Sequence, residues 1–208
     1  MIKLIDKKVV NYCESNIIPK YQALDRAHRE EHVYAVISKS FDIAKNYDAK
    51  PALVYIIACF HDLGLLIDRK RHHIESGRLL SEDAFINEYF TIEDIKLMKE
   101  AIEDHRASNQ MPPRSIYGKI ISEADRLIDP EVIVKRSFLY QMNLETDHSF
   151  EHLYPIVREH IVSKYGYGGY LNLWLKYEKH EEILNDFRKV IDDEKLFRKM
   201  ATKIYSNL

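Results

Sequence analysis

Cysteine, glycine and proline are all scarce in this 208-residue chain, at two, six and six residues. Cys13 and Cys59 lie far apart and form no Cys-x-x-Cys pair. That argues against a disulfide scaffold and a thiolate zinc site, and makes a reducing cytoplasm the expected setting. Long apolar runs are missing as well, the longest strongly apolar stretch being residues 51–60, too short to span a bilayer. The opening MIKLIDKKVV is broken by charges and has no signal-peptide core, so a soluble cytoplasmic protein with no membrane partner is expected. Neither sign of charge dominates. A net charge of −2 leaves no footprint for general nucleic-acid binding. With 46% hydrophobic and 31% charged residues, the chain has the make-up of one well-packed domain, alone or with an extension.

What is present is helical periodicity, which recurs almost everywhere, with no convincing alternating run or hairpin dipeptide. The chain reads as all-α. Residues 29–46 carry a stripe of Val33, Val36, Ile37, Phe41 and Ala44 opposite Arg29, Glu30, Lys39 and Asp42. A helix over 51–63 opens on Pro51 and stops before Gly64. Another, over 72–88, follows the charged loop IDRKR, and Thr91 with Asp94 makes a capping-box-like start for a helix through 105. After the loop ASNQMPPRS, the segment SIYGKIISEADRLI resumes the pattern until Pro130. Residues 131–208 look helical again, interrupted at 164–170 by KYGYGGY with Gly166, Gly168 and Gly169. The expected organisation is a core over 1–130 and a C-terminal helical extension over 131–208 packed on the same domain. The glycines predict a mobile loop, either a lid whose Tyr165, Tyr167 and Tyr170 stack on a base or a plain turn between two helices.

One detail is out of place in PALVYIIACFHDLG. Leu53, Val54, Ile56, Ile57 and Phe60 cover every side of a helix, which is therefore buried all round, yet it ends in His61 and Asp62. Burying an ionised carboxylate is costly unless an Arg, a Lys or a metal meets it. His32 shares a stripe with Val36, His73 aligns with Gly77, Leu80 and Ala84, His105 continues Ile95, Met98 and Ile102, and Asp125 lies with Ile121 and Ile128. Singly, a histidine on an apolar face is more often a core histidine bonded to a carbonyl. Six inward ionisable groups in one core are another matter, since pairing them among themselves leaves a carboxylate poorly compensated. A divalent metal removes the difficulty by binding imidazole and carboxylate together, and a helix C-terminus favours its charge.

The order His32, His61-Asp62, Asp125, in the contexts HREEHVYAV, ACFHDLGLL, HHIESGRLL, AIEDHR and ISEADRLID, resembles the HD domain superfamily of metal-dependent phosphohydrolases. The resemblance covers residues 22–130 and implies an HD-domain helical bundle. It implies that His32, His61, Asp62 and Asp125 ligate one divalent ion, and that His73 and His105 bind a second ion or the substrate. Position 73 is preferred to 72 because it fits the apolar face and stands three residues before Ser76. No Gly-Tyr-Pro motif of the cyclic-dinucleotide branch occurs. Two imidazoles and two carboxylates suit Mn, Fe, Co, Ni or Zn better than Mg. The expected activity is hydrolysis of a small phosphomonoester or phosphodiester, a nucleotide, with Asp62 central to catalysis and His28, one turn before His32, as proton donor or phosphate contact. Arg69, Lys70, Arg71, Arg106 and Arg126 are candidates to hold the phosphate. Two other readings compete, a di-iron oxygenase on the same ligand set and a non-catalytic nucleotide-binding module.

Overall fold

A computed structural model describes residues 2–25, 28–106, 109, 111–126, 128–175 and 177–208, without the side chain of Glu178. Among them, eleven α-helices and several shorter helical turns occur and no strand does, so the fold is all-α. Among the described residues, no helix is long and apolar enough to cross a membrane. The chain divides into two compact units, Met1–Arg126 and Leu127–Leu208. Pro130 does not close the first unit. It occupies the opening turn of a helix of the second unit, with Asp129 capping the Val132 N–H.

After a 3-10 turn (Ile2–Leu4), the first unit continues with α1 (Lys7–Tyr12), a π-helical turn (Cys13–Ile17) and a 3-10 helix (Ile18–Ala23). Next come α2 (Glu30–Ala44) and α3 (Pro51–Phe60). Every residue of α3 from Leu53 to Phe60 is buried, as its all-round apolar surface requires. Each large apolar side chain so buried contributes about 1.5–3 kcal/mol. α4 (His72–Glu82), α5 (Ala84–Tyr89), α6 (Ile92–Asp104) and α7 (Ile116–Asp125) complete the unit. α2, α4, α6 and α7 all pack against α3, which makes it the central rod.

Two boundaries differ from the sequence expectation. The helix over 72–88 is two helices, because Asp83 leaves helical geometry, caps the Ile86 N–H and accepts a hydrogen bond from the Tyr12 hydroxyl. α3 ends at Phe60, before the His-Asp pair, and Gly64 lies inside a 3-10 turn (Leu63–Leu66) rather than at a helix stop. Thr91 does cap α6, accepting the Asp94 N–H at 3.2 Å. Residues 107, 108 and 110 of the loop ASNQMPPRS lie outside the described residues.

The second unit holds α8 (Pro130–Met142), α9 (Phe150–Tyr165), α10 (Glu178–Asp192) and α11 (Glu194–Tyr205). Phe138, Leu153, Val157, Leu184, Phe187 and Phe197 fill its core. The KYGYGGY segment ends α9 and turns through Gly168, whose φ of 78° suits glycine. Its tyrosines separate by role. Tyr165 belongs to this core, its ring 6.0 Å from that of Phe187, and burial removes it from any lid. Tyr167 and Tyr170 are exposed, the former beneath the Arg188 guanidinium.

Candidate metal centre

The centre forms where α3 gives way to a tight turn. His61 is fully buried and Asp62 nearly so, at 0% and 4% exposure. α2 brings His32 and the last residue of α7 is Asp125. One donor atom from each of His32, His61, Asp62 and Asp125 lies within 4.8 Å of all the others. His32 Nε2 stands 3.2 Å from His61 Nε2, 3.2 Å from Asp125 Oδ1 and 3.7 Å from Asp62 Oδ2. His61 Nε2 is 3.5 Å from Asp62 Oδ2 and 3.7 Å from Asp125 Oδ1.

Asp62 turns its other oxygen elsewhere. Oδ1 is 3.5 Å from His72 Nε2 and 3.5 Å from His105 Nε2, which makes a second group of three potential ligands. His73, the residue preferred from the sequence, is not in that group. The stripe 73–77–80–84 does not exist as one face, because Ala84 belongs to α5. The inward face of α4 also includes Ser76, buried because its Oγ accepts the Gly64 N–H at 2.7 Å, and His72 lies one turn before it. His73 Nδ1 is buried without a hydrogen-bond partner. Burial, and the nearby His72, His105 and Arg106, depress its pKa to about 4, so it stays a neutral ring beside the group.

Three of the histidines are oriented in the same way. The Nδ1 positions of His61, His72 and His105 meet the carbonyls of Ala58, Arg69 and Ile102, at 2.8, 3.1 and 2.5 Å. An Nδ1–H donated to a carbonyl leaves Nε2 as a lone pair, the form a metal takes. Donors about 2.1 Å from a common ion stand about 3.0–3.4 Å apart at right or tetrahedral angles. Separations of 3.2–3.7 Å among mixed nitrogen and oxygen donors therefore fit a divalent cation.

Without a metal, protons take its place. Burial disfavours a charged His61, but Asp62, Asp125 and the Ala58 carbonyl outweigh it and raise its pKa to about 9. Burial likewise opposes charge on Asp62 and Asp125, yet neighbouring histidines hold both carboxyls well below the usual range. A histidine whose folded pKa exceeds its unfolded value of about 6.5 stabilises fully below that pH and loses the effect as pH rises through about 9. The carboxylates act in the opposite sense, their contribution vanishing as pH falls below about 4. The metal-free chain is thus expected to be most stable near pH 6.5, since the depressed His73 loses stability as pH falls below that value, and His61 accounts for a loss on the order of 3 kcal/mol by pH 9. Denaturant melts of chelator-treated protein across that range check this. Flat stability above pH 6.5 would contradict the proton-for-metal picture.

The remaining sequence candidates fall into place around this centre. His28 has its ring 5.9 Å from that of His32, and its Nδ1 meets Asp25 Oδ1 at 2.9 Å. Arg69 holds the other oxygen of Asp25 at 2.8 Å. Arg106 donates to the Lys70 carbonyl, tying the end of α6 to the loop before α4, while Lys70 and Arg71 are exposed. Arg126 does not fit the phosphate role expected of it. It is 7% exposed, and its guanidinium is paired at 2.6 Å with the fully buried Glu123. Sequence reading missed Asp25, Ser76 and His72, of which only His72 carried a local signal, the doubled histidine of HHIES.

Residues 29–128 match the family model of the HD domain. The chain is also similar to a crystal structure described as a predicted HD superfamily hydrolase from an uncultured Thermotogales bacterium. The two share 17% identity over 97% of each chain, with a TM-score of 0.51, a likeness of fold. No curated protein matches the chain. Residues 29–128, which carry His32, His61, Asp62, His72, His105 and Asp125, are an HD domain.

Proposed function

We propose that the chain is a metal-dependent hydrolase of phosphate esters, monoester or diester, with a nucleotide as the substrate class. The observation that carries this reading is the division of Asp62, whose two oxygens face two separate histidine groups. His32, His61, Asp62 and Asp125 would hold one divalent ion, and Asp62, His72 and His105 a second. Mn, Fe, Co, Ni or Zn suits these donors better than Mg. When bound, such an ion supplies Lewis acidity that acidifies a water and polarises a phosphoryl oxygen.

The chain's own residues do the rest. Asp25 fixes the ring orientation of His28 through Nδ1, so that Nε2 is the atom that would take up a proton from water and pass it to the leaving oxygen. Arg69, Lys70, Arg71 and Arg106 gather positive charge at the α4 start, where a phosphate can be received. Metal analysis of protein purified without chelator, followed by a screen of phosphate esters, nucleotides and cyclic nucleotides, tests the proposal. Metal with ester turnover supports it. Iron with oxygen-dependent turnover would replace it by the oxygenase reading, and binding without turnover by the non-catalytic one.

The second group makes its own prediction. Titrating the metal-free protein should give two binding steps, the weaker one lost in His72→Ala and kept in His73→Ala. Loss of that step in His73→Ala alone would reverse the assignment.

A further inference from the structure

Tyr21 lies outside the stretch that matches the HD family, and the proposed chemistry does not use it. It is fully buried on the 3-10 helix Ile18–Ala23. Its hydroxyl donates to the Cys59 carbonyl at 2.9 Å and accepts the backbone N–H of Asp62 at 3.2 Å. Its ring lies 6.5 Å from that of His61. One phenol thus touches the backbone on both sides of the first ligand of the His-Asp pair.

The local geometry explains why a hydroxyl is needed. α3 has ended at Phe60, and Asp62 sits at φ −110°, ψ 5°, outside helical values. In a continuing helix its N–H would bond the Ala58 carbonyl, but the His61 ring takes that carbonyl at 2.8 Å. The turn therefore leaves one donor and one acceptor in the interior, and a hydroxyl can satisfy both at once. Burial and the adjacent Asp62 carboxylate push Tyr21 ionisation well above the ordinary range, so the hydroxyl keeps the proton it donates.

We infer that Tyr21 is a positioning residue of the metal centre, its hydroxyl pinning the His61-Asp62 turn and so setting the aim of both Asp62 oxygens. The inference rests on the metal reading of the site given above. Outer hydrogen-bond partners of metal ligands are typically worth about 10–100-fold in affinity. Tyr21→Phe is expected to weaken Co(II) binding by that factor and to alter the Co(II) absorption bands. Tyr55→Phe is the comparison, since Tyr55 is equally buried on α3 but directs its hydroxyl to Glu14 at 3.2 Å. It should lower thermal stability while leaving Co(II) affinity and spectrum unchanged.

Wild-type affinity and spectrum in Tyr21→Phe overturn the inference, as do equal affinity losses in the two variants. If Tyr21→Phe does not fold, 3-fluorotyrosine and 3,5-difluorotyrosine at position 21 keep the hydroxyl and grade its strength. A graded change in Co(II) affinity then supports positioning, and a flat series overturns it. A wild-type chain that binds no Co(II) overturns the metal reading and this inference with it. Tight wild-type binding left untouched by Tyr21→Phe overturns this inference alone.

Discussion

Asp62→Ala is expected to lose metal and activity together. Among the described residues, no other side chain in the centre faces both histidine groups, with Oδ2 toward His32 and His61 and Oδ1 toward His72 and His105. Its removal takes away one of two carboxylates from the first group and the only one from the second. The histidines left behind are neutral donors or mutually repelling cations, and neither compensates a dication. The loss of affinity should exceed the ~10–100-fold typical of an outer partner. Metal content per chain after dialysis and turnover at saturating substrate are the measurements. Wild-type metal content in this variant would remove Asp62 from the centre.

Gly64→Ala is expected to be the most destabilising single-methyl change near the centre. A Cβ at Gly64 would sit 2.2 Å from the His72 carbonyl oxygen, 2.6 Å from the Ser76 nitrogen and 2.8 Å from the Glu75 Cβ. Two of these three atoms are helix backbone, which cannot swing aside as a side chain can. φ at Gly64 is not positive, so the cost is contact and not backbone conformation. Gly77 offers the comparison, with its nearest atoms at 3.2–3.3 Å and two of them flexible side-chain carbons. Overpacking costs about 1–3 kcal/mol, occasionally more. Gly64→Ala belongs at or above the top of that range and Gly77→Ala near the bottom. Because the displaced backbone carries His72, the weaker metal-binding step should suffer as well. Denaturation midpoints and metal titrations of the two variants decide it, and equal stability would contradict the contact argument.

How much of this could be read from the chain depended on the range of the interactions involved. The His61-Asp62 pair was conspicuous because it interrupts a helix apolar on every face, and burial of α3 follows from those residues alone. Local periodicity also placed α2 and α6 close to their observed spans. It failed where a distant partner decides the geometry. Asp83 breaks a helix-compatible run because Tyr12, 71 residues away, donates to it. That break moves Ala84 to another helix and with it the evidence for His73 over His72. Gly64 resembles a helix stop in sequence, yet its smallness serves the close approach of α4. Arg126 adjoins a ligand in sequence but turns back to Glu123, one helical turn away. Tyr21 has no local signal at all, since its two partners lie 38 and 41 residues along the chain.

The carbonyls that hold His61, His72 and His105 each belong to the residue three positions earlier, at Ala58, Arg69 and Ile102. Each imidazole is therefore aimed by its own stretch of chain, without reference to the other ligands. The rotational entropy of these rings is surrendered during folding and not at ion capture. An arriving cation meets donors already facing inward, and what remains is to displace the proton held by His61 and to shed its own water. Capture rates among candidate ions would then follow the lability of their hydration shells, a property of the ion, while retention follows the donors, a property of the chain.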